Sequence, residues 1–277
     1  MITKIDTSIS GKEHRILLQV KEFICMLPHP NLREYVSNYN ITFPSKELMS
    51  DSFTVLPCGC STISVEKNSS ALYVDLHGPV TKPFIAGNEA NQLEMMVSIE
   101  FKPAGLYAIT GISQSEFTDR TLPFDSVNAN LTRLMLEAVE KSGSINELVS
   151  NLDNLLCANI CAAYRPELMM ALASIKECAG SISIQELSNL AHYSERQLNR
   201  IFNHFVGTSA KSFSRLIRIN NTFRLLKKTC KSLSYISDVS GFHDLPHFIH
   251  DFKQVCGVTP QKFRDNVSDF YNNPTRL

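Results

Sequence analysis

Residues 194–213, SERQLNRIFNHFVGTSAKSF, and residues 244–263, DLPHFIHDFKQVCGVTPQKF, decide the fold of the C-terminal third of this chain. The two stretches align at a constant offset of 50 residues, which matches their N-cap positions, their aromatic positions and the glycines at 207 and 257. Unrelated segments do not agree at so many structurally demanding positions. The alignment therefore predicts an internal repeat of one structural unit.

The first repeat carries the start signals of two helices joined by a tight turn. Ser183-x-x-Glu186 and Ser194-x-x-Gln197 both have the form of a capping box, and they lie 11 residues apart. That spacing leaves room for a helix of about two turns, a tight turn and a second helix. It therefore predicts a helix-turn-helix unit.

The second helix of this unit is predicted to have an apolar face and a polar face. Apolar residues at positions i, i+3, i+4 and i+7 form the predicted buried face, Leu198, Ile201, Phe202 and Phe205. Arginine and asparagine side chains, which can contact guanine and adenine edges bidentately in a major groove, occupy the opposite face. These residues are Arg196, Asn199, Arg200 and Asn203.

The charges are distributed unevenly along the chain, although 27 Lys plus Arg balance 27 Asp plus Glu. Residues 1–165 hold 13 basic against 18 acidic side chains, a net charge of −5, and residues 166–277 hold 14 against 9, a net charge of +5. Residues 194–231 hold nine bases and the single acid Glu195. Such a block indicates a polyanionic partner, although a solvated helix face has the same charge pattern.

The segment between the repeats is predicted to be one long helix. Residues 209–230 would span roughly 27 to 33 Å at 1.5 Å per residue. One turn of B-DNA is about 34 Å long, which is the separation that two recognition helices need to enter successive major grooves. The length of this segment therefore favours two DNA-reading helices at its ends.

The N-terminal half has the pattern of a mostly β domain. Short β-branched and aromatic runs, such as CSTISVE, ALYVDLH and MMVSIEF, are separated by turn residues. One helix is expected among them over residues 31–39, and two helices divided at Gly143 are expected over residues 131–160. The chain is thus predicted to be α+β with two domains, residues 1–164 and 165–277.

The C-terminal repeat resembles the AraC/XylS family of transcriptional regulators, whose DNA-binding domain has two helix-turn-helix units bridged by a long helix. The resemblance covers about 100 residues and is most specific in residues 232–264, SLSYISDVSGFHDLPHFIHDFKQVCGVTPQKFR. LPCGCSTISVE from Leu56 and FKPAGLYAITG from Phe101 are similar to a sensor domain that precedes this module in some members. The resemblance implies a cupin-like β-barrel followed by helices that dimerise or relay a signal.

The resemblance also implies which residues contact DNA. In the second recognition helix, Leu245, Pro246, Ile249 and His250 would face DNA, and His250 stands where arginine is common. We therefore expect the first unit to supply most direct base readout and the second to grip the backbone or read DNA shape. The full expected set is Arg196, Gln197, Asn199, Arg200, Asn203, Lys211, Arg215, His247, Ile249, His250 and Lys253.

A small-molecule effector is expected in the β domain. Phe53, Tyr73, His77 and Tyr107 are candidate lining residues, although each could equally belong to the core. No cofactor and no metal site are expected. Cys58 and Cys60 lack a second pair at zinc spacing, and the histidines at 243, 247 and 250 fit the family's DNA-binding helix without a metal ion.

The sequence favours a DNA-binding regulator over an enzyme, because no catalytic motif is present. Two alternatives remain: an interaction protein that retains the module without binding DNA, and a DNA-repair methyltransferase of the adaptive-response type, whose four-cysteine zinc arrangement is missing here. Expected partners are double-stranded DNA, an unknown effector, RNA polymerase and a second copy of the chain. No apolar run approaches the ~18 residues of a membrane span, so a cytoplasmic protein without a membrane partner is expected.

Overall fold

A sheet-rich N-terminal part is followed by a C-terminal part that is helical except for one short strand, which pairs with a strand of the N-terminal part. The computed structural model describes residues 15–228, 231–266 and 270–271 of the 277 residues. The strands are β1 Ile16–Val20, β2 Phe23–Met26, β3 Val36–Thr42, β4 Thr54–Val55, β5 Thr62–Lys67, β6 Leu72–His77, β7 Phe84–Ile85, β8 Met95–Phe101, β9 Thr121–Pro123 and β10 Phe270–Tyr271.

Four helices belong to the N-terminal part and seven to the C-terminal part of the described chain. The first group is α1 Gly87–Ala90, α2 Gly105–Thr110, α3 Asp125–Lys141 and α4 Ile145–Ala158. The second group is α5 Pro166–Glu177, α6 Ile184–Leu190, α7 Glu195–Val206, α8 Ala210–Lys228, α9 Leu233–Val239, α10 Leu245–Cys256 and α11 Pro260–Asp265. The sequence prediction of a fold with both strands and helices, in which a sheet-rich N-terminal part precedes a largely helical C-terminal part, is confirmed.

The main sheet has seven antiparallel strands in the order β1-β2-β3-β8-β5-β6-β9. Its two edges, β1 and β9, are not paired with each other within the described residues, so the sheet is open rather than a closed barrel. A small sheet in the order β10-β4-β7 accompanies it. The expected cupin-like barrel is therefore not confirmed, and the strands of the described residues form two open sheets.

One face of the main sheet is apolar and packs against α3 and α4 in a single core. Asp153 of α4 anchors this contact, because its Oδ1 accepts hydrogen bonds from Tyr39 Oη and His29 N, both at 2.9 Å. Arg15 Nη2 lies 2.6 Å from Asp153 Oδ2. The break between the two helices falls where Gly143 predicts it, and Ser144 caps α4 through Glu147 N.

The helix predicted over residues 31–39 is wrong. The structure has a 3₁₀ turn at Pro30–Leu32 and then strand β3. All seven residues of β3 are buried, because the strand has the helical core on one side and a covered polar face on the other. Tyr39 points to the core while Asn40 points to the polar face, so apolar residues at helical spacing coincided with a strand.

Both predicted capping boxes are present, and each starts a helix of the first helix-turn-helix unit. Ser183 caps α6 with Glu186, and Ser194 caps α7 with Gln197. The second unit, α9 and α10, repeats this arrangement with Asp244 as the N-cap of α10. Helix α8 joins the two units and contributes to both of their cores.

We expect Ser194→Ala to lower the free energy of unfolding by about 1 kcal/mol, because the backbone N–H of Gln197 at the start of α7 loses its side-chain acceptor. Ser194→Asp keeps a capping oxygen and serves as the matched control. Urea denaturation followed by circular dichroism measures both variants. Equal midpoints for Ser194→Ala and wild type would show that the capping box does not stabilise α7.

Candidate functional site

Helix α7 presents a basic face to solvent, as the sequence predicts. Arg196, Arg200 and Asn203 are exposed, whereas the predicted buried face, Leu198, Ile201, Phe202 and Phe205, is at most 6% exposed. The guanidinium and amide groups therefore stand on the solvent side of a helix that is held rigidly by its core. This geometry suits contacts to the edges of bases.

Two other predicted contact residues on α7 have structural partners. Gln197 Oε1 accepts from Ser194 N at 3.0 Å and closes the capping box. Asn199 Oδ1 accepts from Ala210 N at 3.2 Å and so holds the first turn of α8 against α7. The other three predicted contact residues of α7, Arg196, Arg200 and Asn203, are exposed, and DNA contact by any of these side chains stays a prediction.

The second reading helix, α10, is organised around one buried carboxylate. Asp251 has a side chain that is 8% exposed, and its Oδ2 lies 3.5 Å from Arg215 Nε of α8 and 3.3 Å from His247 Nε2. His250 Nδ1 lies 3.6 Å from Asp251 Oδ1. Arg215 Nη1 also donates to Gln254 Oε1 at 2.9 Å. Arg215 therefore ties α8 to α10 in this structure.

The remaining predicted contacts are placed at the surface of the second unit and of α8. Lys211 and Lys253 are exposed, and the side chain of His250 is 76% exposed. Ile249 is half-buried. In contrast to α7, helix α10 thus presents one lysine, imidazole rings and an isoleucine, with no arginine on its own surface.

The two parts of the chain meet where the repeated glycines end the reading helices. Gly207 and Gly257 have φ values of 86° and 74°, in the left-handed region that closes a helix. A Cβ on Gly207 would lie 2.7 Å from Pro79 Cγ, and a Cβ on Gly257 would lie 3.2 Å from Pro83 Cγ. Thr118 Oγ1 donates to Gly207 O at 2.6 Å.

Further contacts between the parts involve the two sequence pieces that resemble a sensor domain. Leu56 is part of the core of the second unit, and Asn220 of α8 donates to Pro57 O at 3.1 Å. On α2, the Tyr107 ring lies 4.5 Å from the Phe205 ring, centroid to centroid. These pieces therefore form a packed interface with the helical part.

A cleft of about 710 Å³ separates the polar face of α7 from residues of the N-terminal part. Ser113 and Ser115 line one side, and the α7 side includes Arg196, Arg200 and Asn203. An α-helix with its side chains already fills a major groove about 12 Å wide. Ser113 and Ser115 lie across the cleft from Arg196, Arg200 and Asn203 of α7.

A second and larger cavity, of about 930 Å³, lies on the polar face of the main sheet. Cross-strand register aligns its polar side chains in rows. One row is Asn40, Ser98, Ser64 and Asp75, a second is Glu100, Thr62 and His77, and a third is Thr42, Met96, Glu66 and Tyr73. Residues of the small sheet and of α1 cover these rows, so a polar sheet face is enclosed instead of solvated.

Glu66 is a carboxylate of this cavity that accepts hydrogen bonds from two hydroxyl groups. Its Oε1 accepts from Ser64 Oγ at 2.6 Å and its Oε2 accepts from Tyr73 Oη at 3.1 Å. His77 Nε2 is 3.8 Å from Glu66 Oε1. Burial raises the pKa of Glu66, but the hydrogen bonds from His77, Ser64 and Tyr73 outweigh it, and the net pKa lies below its ordinary value.

Burial raises the pKa values of neighbouring groups, and nearby carboxylates add a negative potential that raises them further. Burial and the charge of Glu66 raise the pKa of Asp75 above its ordinary value. The same two causes raise the pKa of Tyr73 to about 12. Burial and the charge of Glu100 raise the pKa of Cys25 to about 12. Each group resists gaining a further negative charge at this face of the sheet.

The sequence prediction of cavity residues is partly supported by their placement. Phe53, Tyr73 and His77 line the cavity, whereas Tyr107 does not and packs instead against Phe205. The acids Glu66, Asp75 and Glu100 were missed. Their signal was the alternation of polar and apolar residues in residues 62–66, 73–77 and 96–101, in strands whose two faces are both covered.

The cysteines and histidines singled out in the sequence form no metal cluster in the described ranges, where no group of three or more His, Cys, Asp or Glu is arranged to hold a metal ion. Cys58 and Cys60 are buried free thiols near the interface between the parts. Residues 15–228 and 231–266 contain no helix with both the length and the apolar character to cross a bilayer.

Two family models match the chain. A helix-turn-helix domain (HTH_18) matches residues 187–266, which include α7 to α11. A domain of unknown function (DUF6597) matches residues 25–123, which include most of the main sheet.

Known proteins resemble the helical part. The HTH-type transcriptional regulator GbdR of Pseudomonas aeruginosa is 30% identical over 83 residues, which are 30% of this chain and 23% of GbdR. The probable transcription factor PqrA of Proteus vulgaris is 32% identical over 85 residues, 31% of this chain and 70% of PqrA. A crystal structure of an AraC-type regulator from Chromobacterium violaceum is 28% identical and covers 36% of this chain and 90% of that one, with a TM-score of 0.34.

The chain belongs to the AraC/XylS family of transcriptional regulators. Its double helix-turn-helix is the segment that the relatives share, and it spans about a quarter of the length of GbdR.

We expect Asp75→Asn to raise the midpoint of thermal unfolding at neutral pH. The folded protein holds the Asp75 proton between its ordinary pKa of 3.8 and the raised pKa, while the unfolded chain releases it. Stability therefore falls as the pH rises through that interval, and asparagine removes the loss. The difference from wild type should shrink as the pH approaches 3.8.

Asp51→Asn is the matched control, because hydrogen bonds from Lys46 and Asn91 lower the pKa of Asp51. This variant should not raise the midpoint. A midpoint of Asp75→Asn at or below that of wild type at neutral pH would contradict the negative potential assigned to the cavity.

Proposed function

We propose that this chain is a sequence-specific, ligand-responsive DNA-binding transcription regulator. The observation that carries the proposal is the exposed basic face of α7, with Arg196, Arg200 and Asn203 held outward by a buried apolar face. Residues 165–277 form the DNA-binding domain in this proposal, and residues 1–164 form a sensor domain related to cupins. Membership of the AraC/XylS family supports this assignment.

The helix between the two units has a length that suits DNA. Helix α8 has 19 residues, which corresponds to about 28 Å at 1.5 Å per residue. Reading helices at its ends would meet successive major grooves on one side of a duplex. Selection of bound sequences from a random DNA library tests this, and we expect two half-sites about 10 to 10.5 base pairs apart. Failure to enrich any sequence would contradict specific binding.

The two reading helices differ in the chemistry that they offer. Arginine makes bidentate contacts to guanine, and α7 exposes two arginines, whereas α10 exposes imidazole rings and Lys253. Asp251 lies close to His247 and to Arg215, so part of the basic charge around α10 is compensated within the protein. We therefore assign base readout mainly to α7 and backbone grip or shape readout to α10.

We expect Arg200→Ala to weaken binding to the selected sequence by about 1 to 3 kcal/mol and to leave binding to random DNA nearly unchanged. His250→Ala should weaken specific binding less. Fluorescence anisotropy at fixed salt measures both, with Arg133→Ala on α3 as the matched control. An equal loss on specific and random DNA would make Arg200 a phosphate contact, and a larger effect of His250→Ala would contradict the assignment to α7.

A short segment offers a physical route from the cavity to DNA. His77, Val80 and Phe84 line the cavity, while Pro79 and Pro83 in the same segment approach Gly207 and Gly257. A ligand that shifts this segment would change the contacts at the ends of both reading helices. We propose that the N-terminal part restrains α7 until a ligand relaxes these contacts.

We expect Thr118→Val to raise DNA affinity in the absence of a ligand by several-fold, because valine keeps the shape but cannot donate to Gly207 O. Thr110→Val, which loses the hydrogen bonds of Thr110 Oγ1 to Leu106 O and from Ile112 N, both within residues 106–112, is the matched control. Anisotropy on the selected sequence measures the change. Unchanged or weaker binding of Thr118→Val would contradict a restraining role for this contact.

Other partners follow from the family. We propose contact with RNA polymerase at a promoter, a cytoplasmic location and assembly as a homodimer. Transcription in vitro from the selected sequence, with purified polymerase, separates an activator from a repressor. Analytical ultracentrifugation with and without that DNA tests the homodimer.

A further inference from the structure

The large cavity has a charge pattern that specifies its ligand. We propose that it binds a small organic cation, an amine or related ammonium compound that carries an apolar group. This inference deepens the proposed function, because it takes the cavity as the effector site. It can be tested without DNA.

The first observation is the sign of the charges around the cavity. Four carboxylates line it, and among the described lining residues none is lysine or arginine. His77 is the basic group present, and it lies beside Glu66. The four acids are Glu66, Asp75, Glu89 and Glu100. A ligand with a negative charge would meet repulsion from every side of this polar face.

The second observation is how the fold treats these acids. Glu100 is 3% exposed and sits in the centre of the sheet on β8, where Asn40 Nδ2 donates to its Oε1 at 2.9 Å. The hydroxyl groups of Ser64 and Tyr73 donate to Glu66, and His77 lies beside it, 3.8 Å from Oε1 and 3.0 Å from Ser64 Oγ. Taking carboxylates out of water is costly unless a cation meets them. A bound ammonium group would supply that cation.

The third observation is the apolar half of the same cavity. Phe23, Phe53 and Leu93 line its wall. Three further lining residues are large apolar side chains left exposed, Leu18 at 51%, Val20 at 46% and Phe84 at 38%. These side chains offer contact area to an alkyl or aromatic group. The ligand is therefore amphipathic, with its cation toward Glu66 and Glu100.

The size of the cavity agrees with a small organic molecule. Its volume of about 930 Å³ lies within the range of roughly 300 to 1,000 Å³ that holds small ligands. A bare metal ion would leave most of that space empty. Asn40, Ser98 and Thr62 add hydrogen-bonding groups beside the acids, which suits further polar atoms on the ligand.

The test uses three probes with the same alkyl chain: hexylammonium, hexan-1-ol and hexanoate. Binding to the full-length protein is measured by titration calorimetry at millimolar probe concentration and near-neutral pH. We expect hexylammonium to bind at least about tenfold more tightly than hexan-1-ol and hexanoate not to bind. Equal or tighter binding of the alcohol or the carboxylate, or no binding of the amine, would overturn the proposal.

Charge-removing variants locate the site. Glu100→Gln keeps the oxygen that accepts from Asn40, and we expect it to weaken hexylammonium binding about tenfold while leaving hexan-1-ol unchanged. Glu66→Gln gives a second, independent position if Glu100→Gln does not fold. Glu140→Gln, at an exposed position on α3, is the matched control. Unchanged amine affinity in both cavity variants would overturn the assignment to this cavity.

Failure of this inference is distinguishable from failure of the proposed function. Glu140→Gln should bind the selected DNA and hexylammonium as wild type does, because Glu140 is exposed on α3 and lines neither the cavity nor the cleft beside α7. Selective amine binding without any DNA binding would retain the cation site and contradict the regulator. DNA binding with no amine selectivity would retain the regulator and contradict the cation site.

Discussion

Close contact between a proline-containing segment and two helix-closing glycines sets the arrangement of this protein. Pro79 and Pro83 approach Gly207 and Gly257 so closely that a Cβ at either glycine would crowd them. Both glycines also need the left-handed backbone that ends a reading helix. Glycine is thus needed at both positions for two reasons: it adopts the left-handed backbone that ends the helix, and it leaves room for the neighbouring proline. A displacement of this segment would therefore change the contacts at both helix-turn-helix units.

The other side of the same segment, residues 77–84, lines the cavity. His77, Val80 and Phe84 face the enclosed polar sheet surface, while the intervening prolines face the helices. Residues 77–84 therefore contact the cavity on one side and the C-terminal ends of α7 and α10 on the other. Residues 1–165, which include the acids of the cavity, carry a net charge of −5, and residues 166–277, which include the basic face of α7, carry a net charge of +5.

Local signals in the sequence determined the helical part well. Ser183 and Ser194 were read as caps, the apolar face of α7 was identified residue by residue, and the offset between the repeats located α10. The same reasoning failed where burial came from tertiary structure. Strand β3 was taken for a helix because both of its faces are covered, and the cavity acids were missed because their role depends on register between strands far apart in sequence. Asn199 and Arg215 also have partners inside the fold, Ala210 N and Asp251, which the sequence did not indicate, and their contact with DNA stays a prediction.

Competition binding on the DNA upstream of the gene for this protein tests the central claim most directly. Fluorescence anisotropy of the full-length protein is followed across a salt series, with an excess of random duplex present. A sequence-specific regulator should retain binding in the presence of competitor, and its affinity should fall steeply with salt because the basic face of α7 and α8 releases counterions. Complete loss of binding to random competitor, with or without the amine probe, would contradict a regulator that reads sequence and would favour an interaction protein.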